Sequence, residues 1–322
     1  MFAKEPKTIA IVIPAFNPDE KLLEVIEQIG ENIQFIIVVD DGSTSTKSKS
    51  IFGAIQDKRV TLLSHPKNQG VGAAMKTGYS KAISLNADVV VKIDADGQMD
   101  PGIIGRFANP VMDREADYAK GNRFHSLKSL QSMPKVRIIG NSVLTILSKT
   151  SSGYWSVNDP TNGYTAISGR ALKMLDMNKL ENRYFFESDL LFKLNLMDVK
   201  VIDVPMNARY MDEQSNLKIG RTAFEFSIKL VRNFGKRLFL VYFIREFNLA
   251  SLQLLLGTAL TGFGFSMGIF HYLDSASKNI ATPTGTLILI SMSLLAGLQL
   301  LLAFTNFDIQ RSVNFKPIGQ NE

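Results

Sequence analysis

Two long intervals of this chain carry no fixed charge. Between Glu246 and Asp274 the only titratable group is His271, and between Lys278 and Asp308 there is none. Each interval can hold the roughly 20 apolar residues that a helix needs to cross a bilayer. A soluble fold would have to bury both runs in its core, and two in succession point to lipid instead. Membrane spans are expected near Leu249–Phe270 and Gly285–Phe304. Gly257, Gly262, Gly264 and Gly268 suit close helix packing in lipid, which leaves room for a homo-oligomer. Lys229, Arg232, Lys236, Arg237 and Arg245 precede the first span, and Arg311 and Lys316 follow the second. Only Lys278 lies between them, so both termini and the large N-terminal part are expected on the cytoplasmic side.

The chain has 322 residues, a net charge of +6 and 45% hydrophobic residues, enough for one large domain or two ordinary ones. It has no cysteine, which excludes disulfide frameworks and thiolate metal sites. Met1–Lys7 is short and charged, without the apolar core of a signal peptide.

Ahead of the spans, strands alternate with helices. Thr8–Ile13, Phe35–Val39, Val60–Leu63 and Val89–Ile93 read as strands. Leu22, Leu23, Ile26 and Ile29 give the first helix one apolar face, and a second helix is expected from about Gly72 to Asn86. Lys200–Val204 reads as a closing strand. This alternation predicts an α/β fold with a mostly parallel sheet, whose ligands bind beyond the carboxyl ends of the strands. The unusual residues stand at those ends: Pro14-Ala15-Phe16-Asn17, Asp40-Asp41-Gly42-Ser43, Lys67-Asn68-Gln69-Gly70 and Asp94-Ala95-Asp96. Asp94 and Asp96 repel each other unless a cation sits between them. Mg²⁺ or Mn²⁺ takes a few carboxylate oxygens and leaves places for water and phosphates, and Gln98 offers a neutral oxygen. Gly70-Val71-Gly72 starts like a dinucleotide fingerprint, but Met75 replaces the third small residue, and no Walker lysine pattern is present. Those glycines are expected to let backbone approach a ligand at a helix N-terminus.

Ile13-Pro14-Ala15-Phe16-Asn17, Val38-Val39-Asp40-Asp41-Gly42-Ser43-Thr44, Asn68-Gln69-Gly70, Asp94-Ala95-Asp96-Gly97-Gln98 and Gly121-Asn122-Arg123-Phe124 resemble, in that order, the motifs of family 2 glycosyltransferases. Over about residues 8–220 the chain is similar to the membrane-anchored polyprenyl-phosphate members, including the dolichyl-phosphate mannose synthase group. The resemblance implies a GT-A type nucleotide-diphospho-sugar transferase domain over residues 1–220. Basic amphipathic interfacial helices over 221–246 follow, then a two-helix transmembrane anchor with a short cytosolic tail over 247–322. It places Pro14, Ala15, Asn17 and Asp40 at the nucleoside, with Asp41 beside them and Asn68 and Gly70 in the same motif set. Asp94 matches the acid near ribose and sugar, Asp96 and Gln98 the ligands of Mg²⁺ or Mn²⁺, and Arg123 a phosphate-side cation. Arg209 and Lys218 lie in a segment that closes over the phosphates in relatives.

Some roles stay open in the residues themselves. Asp40 either tests a base edge or caps a turn. Asp159, in Asp159-Pro160-Thr161-Asn162-Gly163-Tyr164, lies in a segment that resembles the acceptor side but departs from the dolichyl-phosphate pattern. Glu187 and Asp189 are either a general base or helix-capping acids. The expected reaction is an inverting, metal-dependent sugar transfer from a UDP- or GDP-sugar to a polyprenyl phosphate. An acceptor that is a sugar hydroxyl would need Asp159, Glu187 or Asp189 as base. A silent nucleotide-sugar binder acting on a membrane partner is a third reading. Membrane lipids are expected partners and nucleic acid is not.

Overall fold

The computed structural model describes residues 7–125, 135–207 and 219–319. It divides into two compact units, Met1–Phe234 with Phe315–Glu322, and Gly235–Asn314. The division falls inside a helix.

The first unit holds strands β1 (Ile9–Ala15), β2 (Phe35–Asp40), β3 (Val60–Ser64), β4 (Val89–Lys92), β5 (Tyr118–Asn122), β6 (Thr165–Ser168) and β7 (Val201–Pro205). They form one sheet in the order β3-β2-β1-β4-β6-β5-β7. β1 pairs in parallel with β2 and β4, and β5 with β7, while β6 is antiparallel to both of its neighbours. Reversal of β6 has a consequence for the site. Its first residue, Thr165, pairs with Lys92 at the end of β4 and with Lys120 on β5. The segment leading into β6 therefore arrives on the rim where the parallel strands end.

Strand alternation splits the core between the two sheet faces. Ile9, Ile11, Ile13, Val89 and Val91 pack against Leu22 and Ile26 of α1 (Lys21–Glu27), Phe52 of α2 (Thr46–Gly53) and Phe107 of α4 (Ile104–Met112). Ala10, Val12 and Val90 face Tyr79 of α3 (Val71–Ser84) and Leu190 of α7 (Phe186–Leu196). A Cβ at Gly78 would lie 2.3 Å from Val12 Cγ1, so α3 can seat on β1 only with glycine there. Helices α5 (Lys135–Ser152) and α6 (Gly169–Met174) complete the layers. The segment after the second apolar helix returns to this unit: Phe315 meets Tyr154 edge-on at 6.1 Å, and Ile318 N donates to Asp117 Oδ2 at 2.8 Å.

Helix α8 (Ile219–Phe239) runs across the division and continues into a π-helical turn, Leu240–Arg245. Its apolar stripe of Phe224, Ile228 and Val231 is exposed, while Leu230 and Asn233 are buried.

The second unit is built on helices α9 (Leu249–Lys278) and α10 (Thr284–Val313). Each has 30 residues, with mean hydropathy 1.4 and 2.3, and only 11% and 17% of their most apolar windows are buried. Thirty residues span about 45 Å, more than a bilayer core of about 30 Å. Both helices are long and apolar enough to cross a membrane, and both extend past the expected span ends at Phe270 and Phe304. A capping box between Asn248 and Ser251 starts α9, and left-handed Asn279 ends it. Gly264 and Gly297 permit the close crossing: a Cβ would lie 2.7 Å from Leu294 Cγ at the first and 2.7 Å from Thr261 N at the second. Near the end of α10, buried Asp308 accepts from Arg237 Nη2 at 2.9 Å and from the Tyr242 hydroxyl at 2.7 Å.

Candidate active site

The rim collects the residues singled out in the sequence. β1 ends at Ala15 and β2 at Asp40, adjacent in register. Asn17 adopts a left-handed conformation with φ 48, and its Oδ1 accepts from Thr44 N at 3.0 Å and Ser45 N at 3.1 Å. It thus ties the turn after β1 to the turn after β2. Asp40 Oδ1 accepts from Ser43 N at 2.8 Å, the turn-capping alternative. Asp41 is buried, and Oδ1 accepts from Gln69 N at 3.0 Å and pairs with His65 Nδ1 at 2.7 Å, while Oδ2 accepts from Gly70 N at 2.7 Å. This carboxylate shapes the loop after β3.

A cleft of about 160 Å³ opens here, lined by Pro14, Ala15, Phe16, Asp41, Asn68 and Gly70, and by Val71, Ala74, Arg183 and Tyr184. The glycines of this loop also bring the start of α3 against another part of the chain. Cβ atoms at Gly70 and Gly72 would lie 2.5 Å from Asn182 O and 2.3 Å from Glu181 O, and Ala73 N donates to Asn182 O at 3.0 Å. The backbone of 181–183 therefore packs directly on these glycines. Gly70, at φ +105, also holds a conformation that other residues rarely take.

Beside this cleft lies a charge network. Lys92 extends from β4 on the same face as Val90 and is 3% exposed. Its ammonium donates to Glu187 Oε1 at 2.8 Å and pairs with Asp94 Oδ1 at 3.1 Å. Burial alone would lower the pKa of Lys92, but the Asp94 and Glu187 carboxylates outweigh it and hold it above its ordinary value. Burial likewise works to raise the Glu187 pKa, but Lys92, with Lys120 behind it, leaves that pKa lowered. Lys120 on β5 is fully buried and donates to Asn162 O at 2.6 Å. Burial pushes its ammonium down to about 8, against the pull of Glu187 and Asp159.

Across the site, Arg123 follows β5. Its Nε and Nη2 donate to the two oxygens of fully buried Asp159 at 2.7 and 3.0 Å, a bidentate pair. Asn162-Gly163 then bridges the two clusters: a Cβ at Gly163 would lie 2.7 Å from Lys92 Nζ and 2.8 Å from Asp94 Oδ2. Asp189 is spent locally, accepting from Glu181 N at 3.0 Å and pairing with Lys193.

Asp96 Oδ1 accepts from Gln98 N at 2.9 Å in a turn whose Gly97 has φ 74. Among the described residues no group of three His, Cys, Asp or Glu side chains could hold a metal alone. The hard oxygens of Asp96 and Gln98 suit Mg²⁺ or Mn²⁺ that takes its other ligands from a diphosphate and water, so the donor set fits.

Arg209 and Lys218 lie outside the described residues. Sequence reasoning missed Lys92, Lys120, Arg183 and Tyr184. A lysine inside a β-branched strand two residues before an acidic pair was the one available signal for Lys92.

Residues 10–175 match the family model described as "Glycosyl transferase family 2". The UDP-N-acetylglucosamine–dolichyl-phosphate N-acetylglucosaminyltransferase of Methanococcus voltae is 30% identical over 232 residues, covering 66% of this chain and 92% of that protein. The polyprenol monophosphomannose synthase of Mycolicibacterium smegmatis is 27% identical over 206 residues, covering 61% of this chain and 75% of that protein. Among solved structures, the glucosyl-3-phosphoglycerate synthase of Mycobacterium tuberculosis with Mn²⁺, UDP-glucose and glycerol 3-phosphate superposes with a TM-score of 0.52. It is 19% identical, covering 72% of this chain and 80% of that one, a likeness of fold.

Proposed function

Since this chain belongs to glycosyltransferase family 2, and is a glycosyltransferase, we propose that it moves one sugar from a nucleoside-diphosphate donor to a polyprenyl phosphate at the cytoplasmic membrane face. The supporting observation is the state of the three acids that might serve as a base. Asp159 is paired with Arg123, Glu187 with Lys92 and Asp189 with Lys193. Each carboxylate is thus engaged by a cation, and for Glu187 the Lys92 ammonium leaves the pKa lowered against the effect of burial, a poor arrangement for a general base. A phosphate monoester is already an anion at that pH and needs no base. One of its oxygens donates a lone pair to the anomeric carbon, and the bond from that carbon to the donor's diphosphate breaks. The electron pair leaves with the nucleoside diphosphate, and a single displacement inverts the centre. The names of the relatives from Methanococcus voltae and Mycolicibacterium smegmatis, which carry dolichyl-phosphate and polyprenol acceptors, support this acceptor class.

In this reading Pro14, Ala15, Asn17, Asp40, Asp41, Asn68 and Gly70 form the nucleoside side. Asp94, held by Lys92, orients the sugar. Asp96 and Gln98 would hold the divalent ion, which would supply positive charge to the leaving diphosphate when bound. Arg123, aligned by Asp159, adds a cation whose side chain is 32% exposed. The two apolar helices cross the membrane with both ends cytoplasmic. The joining of Phe234 and Phe315 to the first unit supports that topology, as does the excess of lysine and arginine outside the connecting loop. The exposed stripe of α8 lies on the membrane surface.

The test is transfer from radiolabelled donor to lipid, with the product recognised as an acid-labile glycosyl phosphate. Asp96→Ala should lower turnover at least 100-fold and Glu187→Gln less than 10-fold. Equal losses, with the fold intact, would favour a hydroxyl acceptor and a base at Glu187.

A further inference from the structure

Arg183 and Tyr184 lie more than a hundred residues after the loop they adjoin, and no motif marks them. They reach the rim because Gly70 and Gly72 leave no side chain between α3 and the backbone of 181–183. A Cβ at Gly70 would lie 2.9 Å from Arg183 Cγ, so the arginine stem lies over the glycine at the cleft wall. Tyr184, 62% exposed, and Phe16, 50% exposed, both line the same cleft. These are large aromatic surfaces left open where the nucleoside reading needs a planar ligand. We propose that Arg183 and Tyr184 read the donor's base, and that the base is uracil. This inference rests on the nucleotide-sugar reading above.

The hydrogen-bonding inventory of the cleft gives the base. Asp41 is the acid that lines it. Its Oδ1 already serves His65 and Gln69 N, while Oδ2 has Gly70 N alone among the bonds formed, so one acceptor position remains. The side chains of Arg183 and Asn68 bring donors. The cleft therefore offers one acceptor and two sources of donors. Uracil presents one N–H between two carbonyls, the complementary set. Guanine presents one carbonyl beside two N–H groups, so it would leave one of the two donors and one of its own N–H groups without a partner, a mismatch that disfavours it. Stacking on Tyr184 and Phe16 adds affinity for any base, and Arg183 supplies the discrimination.

The experiment is calorimetric titration of the full chain in detergent with Mg²⁺, using UDP, GDP and inorganic pyrophosphate as ligands. UDP should bind at least about 10-fold more tightly than GDP. Arg183→Ala should weaken UDP about 10-fold, reduce the preference over GDP, and leave pyrophosphate unchanged. Tyr184→Ala should weaken both nucleotides and leave pyrophosphate unchanged. Tighter binding of GDP than UDP by the unaltered chain would overturn the inference. So would equal weakening of UDP and pyrophosphate by Arg183→Ala, which would make Arg183 a phosphate contact. Failure of all three ligands to bind would instead overturn the nucleotide-sugar reading itself.

Discussion

Lys92 and Arg237 are both buried cations held by carboxylates distant in sequence. Lys92 side-chain exposure is 3%, but its partners Asp94 and Glu187 are 32% and 13% exposed. Arg237 is 1% exposed and its partner Asp308 only 4%. Both networks answer the same requirement, since a charge taken out of water must be paired and hydrogen-bonded. Only the first leads outward. Asp94 shows the solvent one edge while Lys92 fixes the other, as a group must when it is to hold a substrate without moving. Asp308 closes on Arg237 and the Tyr242 hydroxyl and so holds the π-helical turn 240–245 against α10. In the proposed function the open network serves chemistry, while the sealed one serves the fold.

The sharpest way to break this contrast is to open each network and then refill it. Asp308→Ala removes the carboxylate paired with the buried Arg237 guanidinium and should cost about 3–5 kcal/mol, read as a lower unfolding temperature of the detergent-solubilised chain. Turnover per folded molecule should stay near that of the unaltered chain. The triple change Arg237→Met, Tyr242→Phe and Asp308→Leu should recover most of that stability, because apolar replacement of a whole buried network is often neutral. If the triple variant folds and turnover drops more than a few fold, the sealed network does more than hold the fold.

The same pair of operations at the rim should separate folding from rate. Lys92→Met leaves Glu187 buried without its cation and should destabilise the chain. Lys92→Met with Glu187→Leu removes both charges and should restore the unfolding temperature. It should still lower kcat about 100-fold, with a smaller change in donor KM, since Asp94 loses its orienting partner while the nucleoside side stays intact. Recovery of kcat along with stability would reduce Lys92 to a structural residue and end the contrast between the networks.

Much of the rim was legible before any coordinates, for a local reason. Residues at the ends of buried strands stand out against β-branched runs, so Asn17, Asp40 and Asp96 were found one by one, whereas Arg123 came only from the family resemblance. Their convergence followed from parallel strands sharing a direction. Partnerships were not legible. Lys92 meets Glu187 across 95 positions and Arg123 meets Asp159 across 36. Nothing in either local sequence names the other. The reversed strand β6, four residues long, gives too short a signal for periodicity, yet it delivers Asp159 and Gly163 to the rim. The glycines of the loop before α3 were visible, but not the backbone of 181–183 that packs on them. An absent side chain tells that something comes close, not whether it is ligand or chain.

The smallest expected effect concerns Lys120, which separates the two networks further because no counterpart exists in the sealed one among the described residues. It is fully buried, and its ammonium is pushed by burial from an ordinary 10.5 down to about 8. Glu187 and Asp159 offset part of that penalty, while Lys92 adds to it, and Asp203 acts more weakly in the stabilising sense. Below pH 8 both folded and unfolded chains carry the proton, and the cost of burying it is constant. Between about pH 8 and 10.5 the unfolded chain binds more protons at this site, so stability from Lys120 must rise with pH there. The slope has a ceiling of about 1.4 kcal/mol per pH unit for one proton. Buried Tyr79 and Tyr118, whose pKa values burial raises, oppose it only above about pH 10, where unfolded tyrosine ionises. Denaturant unfolding at pH 7.5, 8.5 and 9.5 therefore reads Lys120 with little interference from them. Lys120→Met should remove the rise between those points and add stability at pH 7.5, where the buried charge is costliest. A Lys120→Met chain with the same slope as the unaltered protein would mean that the ammonium stays charged throughout, held by the Asn162 carbonyl and the acids around it. Lys120 would then belong with Lys92 as a second fixed cation behind the rim.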